Sequence, residues 1–94
     1  SGSVCDAILT PTPGRLTLPI LATHAGRGLA VSDDQALRAM TLAFRYLRVV
    51  AEPGGSVALA AALFAEDLPD TVICVVSGGN VDPALFAAAL ERSD

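Results

Sequence analysis

Val72-Ile73-Cys74-Val75-Val76-Ser77-Gly78-Gly79-Asn80-Val81-Asp82-Pro83 carries the strongest structural signal in this sequence. Its first five residues are an unbroken apolar run, mostly β-branched, of the kind that forms a fully buried strand. The run stops at Ser77-Gly78-Gly79-Asn80, where two glycines admit backbone conformations closed to other residues and let a ligand approach the main chain. Asp82 then has a side chain suited to an N-cap, and Pro83 suits the first helical position. In open α/β sheets, ligands bind at the carboxyl ends of such strands. The same pattern serves equally as an ordinary tight strand-to-helix connection. Both readings stay open on this stretch alone.

Upstream, Glu52-Pro53-Gly54-Gly55-Ser56 is a second acid-and-glycine turn placed before a helix. That helix, 57–65, is apolar all round and is expected to be buried on all sides. A carboxylate at Glu52 has its simplest reading as a partner for the helix end. Further upstream, Ser32-Asp33-Asp34-Gln35 is the clearest helix start, with the spacing of a capping box and negative charge at the positive helix end. The helix it opens places Ala36, Leu37, Met40, Ala43, Phe44 and Leu47 on one face. Arg38, Thr41, Arg45 and Arg48 are expected on the opposite, solvated face.

Residues 28–32 read as a short strand, and 16–25 as a short helix stopped by Gly26. His24, the sole histidine, falls in its last turn, where positive charge suits the helix dipole. A metal role is not expected for it, because metal sites need several ligands together. Thr10-Pro11-Thr12-Pro13-Gly14 is a loop. The order helix, strand, helix, helix, strand, helix predicts an α/β fold with few strands and about four helices. Residues 1–94 then form one partial domain, with Ser1-Gly2-Ser3 as a cloning remnant or a trimmed end.

Composition narrows the class. The chain has 94 residues, 52% of them apolar, which is enough for a core. Aromatic residues make up only 4%, and much of the apolar content is alanine. Alanine-rich helices bury little area each, so they need neighbours on several sides, as in a piece of a larger core or an oligomer. A net charge of −4 argues against nucleic acid and anionic membrane surfaces as partners. The longest apolar run, 57–65, is too short to span a bilayer. Cys5 and Cys74 fit a reduced, cytoplasmic setting, although two cysteines do not exclude a disulfide. No Cys/His metal spacing, paired Ser and His, or phosphate loop ending in Gly-Lys-Ser/Thr is present.

Four segments in order carry a resemblance: Thr10-Pro11-Thr12-Pro13-Gly14, Val31-Ser32-Asp33-Asp34, Glu52-Pro53-Gly54-Gly55-Ser56-Val57-Ala58-Leu59-Ala60 and Val76-Ser77-Gly78-Gly79-Asn80-Val81-Asp82. Together they resemble the carboxyl-terminal third of threonine dehydratases and serine racemases. These are pyridoxal-phosphate enzymes with the tryptophan-synthase-β-like fold (fold type II). The resemblance runs from Cys5 to Leu90. It departs from the family pattern at Arg15 and Leu18, where Glu and Phe are frequent.

The resemblance implies that this chain is a C-terminal fragment of the large domain of a lyase that converts threonine or serine to a 2-oxo acid and ammonia. It implies that Ser77 hydrogen-bonds the pyridine nitrogen of the cofactor. A neutral hydroxyl leaves the ring a weaker electron sink than a carboxylate would, which favours β-elimination. Gly78 and Gly79 are expected to keep the backbone clear of the ring, with Asn80 and Asp82 supporting the turn. Glu52 and Gly54 match positions beside the cofactor pocket. The family's Schiff-base lysine and phosphate loop have no counterpart here: all six basic residues are arginines. Alone, the chain is therefore expected to be inactive, and its exposed apolar surface to be covered by self-association. A stand-alone α/β binding or regulatory module without catalysis is the alternative. It predicts a stable monomer without unusual apolar exposure.

Overall fold

Ser32 sets the start of the longest helix. Its hydroxyl accepts the Gln35 N–H at 3.1 Å, and Gln35 Oε1 accepts the Ser32 N–H at 3.0 Å, which is the reciprocal capping box read from the sequence. The computed structural model describes residues 3–9 and 12–92. Ser1 and Gly2 of the expected remnant, and Thr10 and Pro11 of the expected loop, lie outside the described residues. Among the described residues the chain forms four α-helices: α1 (Thr17–His24), α2 (Asp33–Leu42), α3 (Val57–Phe64) and α4 (Pro83–Glu91). Short 3₁₀ turns occupy Asp6–Ile8 and Gly54–Ser56. Each predicted helix is present, three of them with boundaries within a residue or two of those expected.

The helix begun by Ser32 does not stay α-helical to Leu47. It widens into a π-helical turn, Ala43–Leu47, and ends at Arg48 with φ 58°. That left-handed conformation is usually left to glycine. The Arg48 guanidinium folds back onto the carbonyls of Phe44 and Arg45, satisfying acceptors that the helix end leaves open.

α2 is the hub, packed against both α3 and α4. Met40 is fully buried, with Ala36, Ala39 and Ala43 around it on the same helix, Ala60 on α3 and Ala89 on α4. Small residues allow the helices to approach closely, but each buries little area and contributes little hydrophobic stabilisation. Phe44 and Phe86 meet edge to face with ring centroids 5.2 Å apart. The expected solvated face of α2 is corrected in part: Arg45 and Arg48 are exposed as expected, while Thr41 is buried and Arg38 half-buried. Thr41 is buried and donates to the Ala89 carbonyl at 3.2 Å, and Arg45 donates to the Leu90 carbonyl at 2.7 Å. The Arg38 guanidinium lies over the Phe64 ring, 4.8 Å from its centroid. This face holds the carboxyl end of α4 and the end of α3.

The expected strands are also corrected. Among the described residues no strand pairing exists, so an α/β fold with few strands is not what these residues form. Residues 28–32 and 72–76 run without turn or bend, and among the described residues no backbone hydrogen bond pairs either with another extended segment; the Ser32 carbonyl accepts the Ala36 N–H as the first bond of α2. The run expected to be fully buried has Ile73 92% and Val75 71% exposed. A strand is completed by its neighbours' backbone groups, and among the described residues none pairs with these runs. Nor is α3 buried on all sides: Ala60 is its one buried residue, and Leu63 is exposed.

The accessible surface is 6625 Å², against roughly 5,000 Å² for a compact monomer of this mass. The radius of gyration is 14.0 Å, against about 12.4 Å for a compact chain of this length. α1 touches none of the other helices, and the stretch from 12 to 30 that holds it is exposed at every residue.

Candidate functional site

Two glycine turns meet at the amino ends of α3 and α4. In the first, Glu52 begins a reversal that passes through buried Pro53 and the 3₁₀ turn Gly54–Ser56 into α3. The buried Ser56 hydroxyl donates to the Glu52 carbonyl at 3.0 Å, and the Ser56 N–H to the Pro53 carbonyl at 3.1 Å. In the second, residues 77–80 turn through Gly78, whose φ is +76°. The Val81 N–H then bonds the Gly79 carbonyl at 2.9 Å, and Asp82 caps α4 by accepting the Ala84 N–H at 3.4 Å.

The turns are tied to each other through their main chains. The Ser77 N–H donates to the Gly55 carbonyl at 3.2 Å, and the Glu52 N–H donates to the Gly78 carbonyl at 3.1 Å. Three glycines make this approach possible. A Cβ on Gly55 would lie 2.6 Å from the Gly78 carbonyl oxygen and 2.7 Å from that of Ser77. On Gly79 it would lie 2.5 Å from the Val50 carbonyl oxygen, and on Gly78 it would collide with Glu52 Oε1. Main-chain neighbours therefore demand glycine at Gly55 and Gly79, and its own positive φ favours glycine at Gly78, before any ligand is considered.

The fold thus brings together all the residues singled out in the sequence: Ser77, Gly78, Gly79 and Asn80 on one turn, Glu52 and Gly54 on the other. Ser77 and Asn80 are exposed, and Glu52 and Gly54 are half-buried. Among the described residues neither the Ser77 hydroxyl nor the Asn80 amide has a protein hydrogen-bond partner. Asp82 acts on α4 rather than on Asn80. Sequence reasoning missed Gly55 and Ser56. A Gly-Gly-Ser run directly before a helix was the available signal, because the second glycine is the one facing the other turn.

Behind the turns, a groove of about 480 Å³ lies over α3 between Arg27 and Leu29 on one side and residues 72–75 on the other. Arg27 reaches across to the Glu66 carbonyl at 3.4 Å. Cys5 and Cys74 are both free thiols. Among the described residues no group of three His, Cys, Asp or Glu is placed to hold a metal, and no helix is long and apolar enough to cross a membrane.

Residues 1–79 match the family of pyridoxal-phosphate dependent enzymes, and the chain belongs to that family. It is 36% identical over 84 residues to a serine racemase of Dictyostelium discoideum, covering 85% of this chain and 26% of that protein. It is 29% identical over 92 residues to an L-threonine ammonia-lyase of Geobacter sulfurreducens, covering 96% of this chain and 23% of the relative. A biosynthetic L-threonine dehydratase of Mycobacterium tuberculosis is 36% identical over 91 residues, covering 94% of this chain and 21% of the relative. The chain thus spans about a quarter or less of the length of these relatives. No solved structure gives a significant match.

Proposed function

We propose that this chain is the cofactor-facing, carboxyl-terminal part of a pyridoxal-phosphate-dependent lyase that converts a small hydroxy amino acid, threonine or serine, to a 2-oxo acid and ammonia. The observation that carries the reading is the locked pair of turns, which holds the exposed Ser77 on a backbone bonded to the turn of Glu52 and Gly55. Pyridoxal phosphate, when bound, supplies the electron sink for bond breaking at the amino-acid Cα. Ser77 would hold the ring nitrogen through a neutral hydrogen bond, and Gly78 and Gly79 keep its turn narrow. Asn80 flanks it, while Glu52 and Gly54 border it from the other turn. The names of the relatives support threonine or serine as the substrate class.

This chain has no lysine, so the amine that carries the cofactor must come from another part of the protein. Alone, the chain is inactive. Its excess apolar surface supports this reading over a self-contained binding module, and when the chain stands alone that surface is covered by self-association. Two free cysteines support a reducing, cytoplasmic setting.

The test is the intact mass of the protein as its source makes it, read together with the yellow absorbance of imine-bound cofactor. A species much heavier than 9.5 kDa with that absorbance is expected. In that species, Ser77→Ala should retain cofactor and lower kcat by on the order of tenfold to a hundredfold, the worth of one lost hydrogen bond in the site. A colourless 9.5 kDa species would overturn the proposal.

A further inference from the structure

A helix leaves its last carbonyls open, and on α4 two of them are closed by side chains of α2. The Thr41 hydroxyl donates to the Ala89 carbonyl at 3.2 Å, and the Arg45 guanidinium donates to the Leu90 carbonyl at 2.7 Å. Arg92, just beyond α4, also pairs with Asp34, but both side chains are exposed and such a pair holds little in water. Arg45 is exposed too. Thr41 is 1% exposed, so its bond is the one of the three that is shielded from water.

The other end of α4 is the candidate site. Asp82 caps the helix directly after the turn of residues 77–80, and the Val81 N–H bonds back to the Gly79 carbonyl. The helix between the two ends has nine residues, a rigid rod about 14 Å long. The chain that leaves α2 returns to the same turn. The Glu52 N–H donates to the Gly78 carbonyl at 3.1 Å, and Gly79 lies too close to the Val50 carbonyl to carry a Cβ. The segment 41–52 therefore grips α4 at its carboxyl end and the turn of Ser77 at its amino end. A shift of the rod at Ala89 is carried to that turn.

We propose that Thr41 is a positioning residue for Ser77, acting through the length of α4. The inference rests on the contact of Ser77 with the cofactor ring nitrogen proposed above. It gives a purpose to the one hydroxyl among the buried residues of α2, which are otherwise Ala36, Ala39 and Met40. Removing that hydroxyl orphans no buried carbonyl, because Ala89 still accepts the Arg92 N–H at 3.2 Å. Valine has nearly the shape of threonine, so Thr41→Val should fold and take up cofactor.

The experiment uses the whole holoenzyme, loaded with pyridoxal phosphate carrying nitrogen-15 in its ring, and compares wild type with Ser77→Ala, Thr41→Val and Thr41→Ser. The ring-nitrogen chemical shift reads the hydrogen bond made there, and hydrogen exchange at the Ser77 and Glu52 amides reads the locked turns. In Thr41→Val the chemical shift should move part of the way toward that of Ser77→Ala. Exchange at both amides should quicken about two- to tenfold, the worth of one hydrogen bond, and kcat per bound cofactor should fall with KM unchanged. Thr41→Ser should restore all of these. Should Thr41→Val fail to take up cofactor, Arg45→Met frees the neighbouring carbonyl from an exposed position and is read in the same way. A variant with lowered stability but wild-type chemical shift and Ser77 exchange would overturn the proposal and leave Thr41 as packing. A chemical shift indifferent to Ser77→Ala as well would overturn the contact of Ser77 itself.

Discussion

The carbonyl of Gly55 accepts the N–H of Ser77 at 3.2 Å, while the carbonyl of Ser77 fills the space where a side chain on Gly55 would begin. Both neighbours of that space are main-chain atoms, which have no rotamer by which to withdraw. Gly55→Ala should therefore cost about 2 kcal/mol or more, a fall in Tm of roughly 10 °C for a domain of this size. Thermal melting measures the loss. Faster hydrogen exchange at the Ser77 amide would locate it in the paired turns.

Gly78 meets a movable obstacle and a conformational one. Gly78→Ala suffers both the positive φ, worth about 1–2 kcal/mol, and the collision with the Glu52 carboxylate. Adding Glu52→Ala removes only the collision. In urea unfolding, the double variant should lose less stability than the sum of the single variants, with a coupling of about 0.5–3 kcal/mol. Additive losses would show that Glu52 does not rest on Gly78.

Ser32→Ala should cost about 1 kcal/mol, because it removes one half of a reciprocal cap and frees the other. Ser32→Asp should recover most of it. Chemical denaturation separates the two variants.

Asp33 fastens the amino-terminal segment, accepting the Ser3 hydroxyl at 2.6 Å and the Val4 N–H at 3.1 Å. These hydrogen bonds, the Ser3 one foremost, hold its carboxyl below the ordinary value of 3.8. A folded-state value lower than the unfolded one means that the unfolded chain takes up the proton first. The contribution is thus fully present above about pH 3.8 and is lost as pH falls through the folded value. Tm of the wild type should drop more steeply in acid than that of Asp33→Asn, with the two converging at the lowest pH. Parallel curves would remove Asp33 from the account.

Burial pushes the Cys5 thiol up, with Asp33 and Asp6 adding to the shift and the Ser3 hydrogen bond opposing it. Less thiolate and less access should both slow its chemistry. Under mild alkylation followed by peptide mass analysis, Cys5 should stay unmodified in the folded chain and react on addition of urea. Cys74, on the open groove, should react first.

The helices were legible because their signals are local. Ser32 with Gln35, Asp82 with Pro83 and the stop after Ala25 all act within one turn of chain. That the two glycine turns share one edge was suggested by their like position before helices, and the resemblance added to it. The bonds that join them, Glu52 to Gly78 and Ser77 to Gly55, were not legible, since nothing local links segments about 25 residues apart. Gly55 escaped notice because its requirement comes from the Gly78 carbonyl, a neighbour in space alone. Thr41 looked solvated because helical periodicity sees one apolar stripe, whereas α4 lays its carbonyls on another, bonding buried Thr41 and exposed Arg45. Residues 72–76 have every local mark of a strand. Pairing is a relation between segments, and here the second segment is lacking.

That lack has a spectroscopic consequence. The most β-prone run of the chain has no inter-segment backbone bond, so the amide I infrared band of the 94-residue chain should show helix and irregular backbone with no sheet component. Any complement that supplies the neighbouring backbone would switch that component on. The five residues that fail to form a sheet thus become a built-in, label-free reporter of assembly.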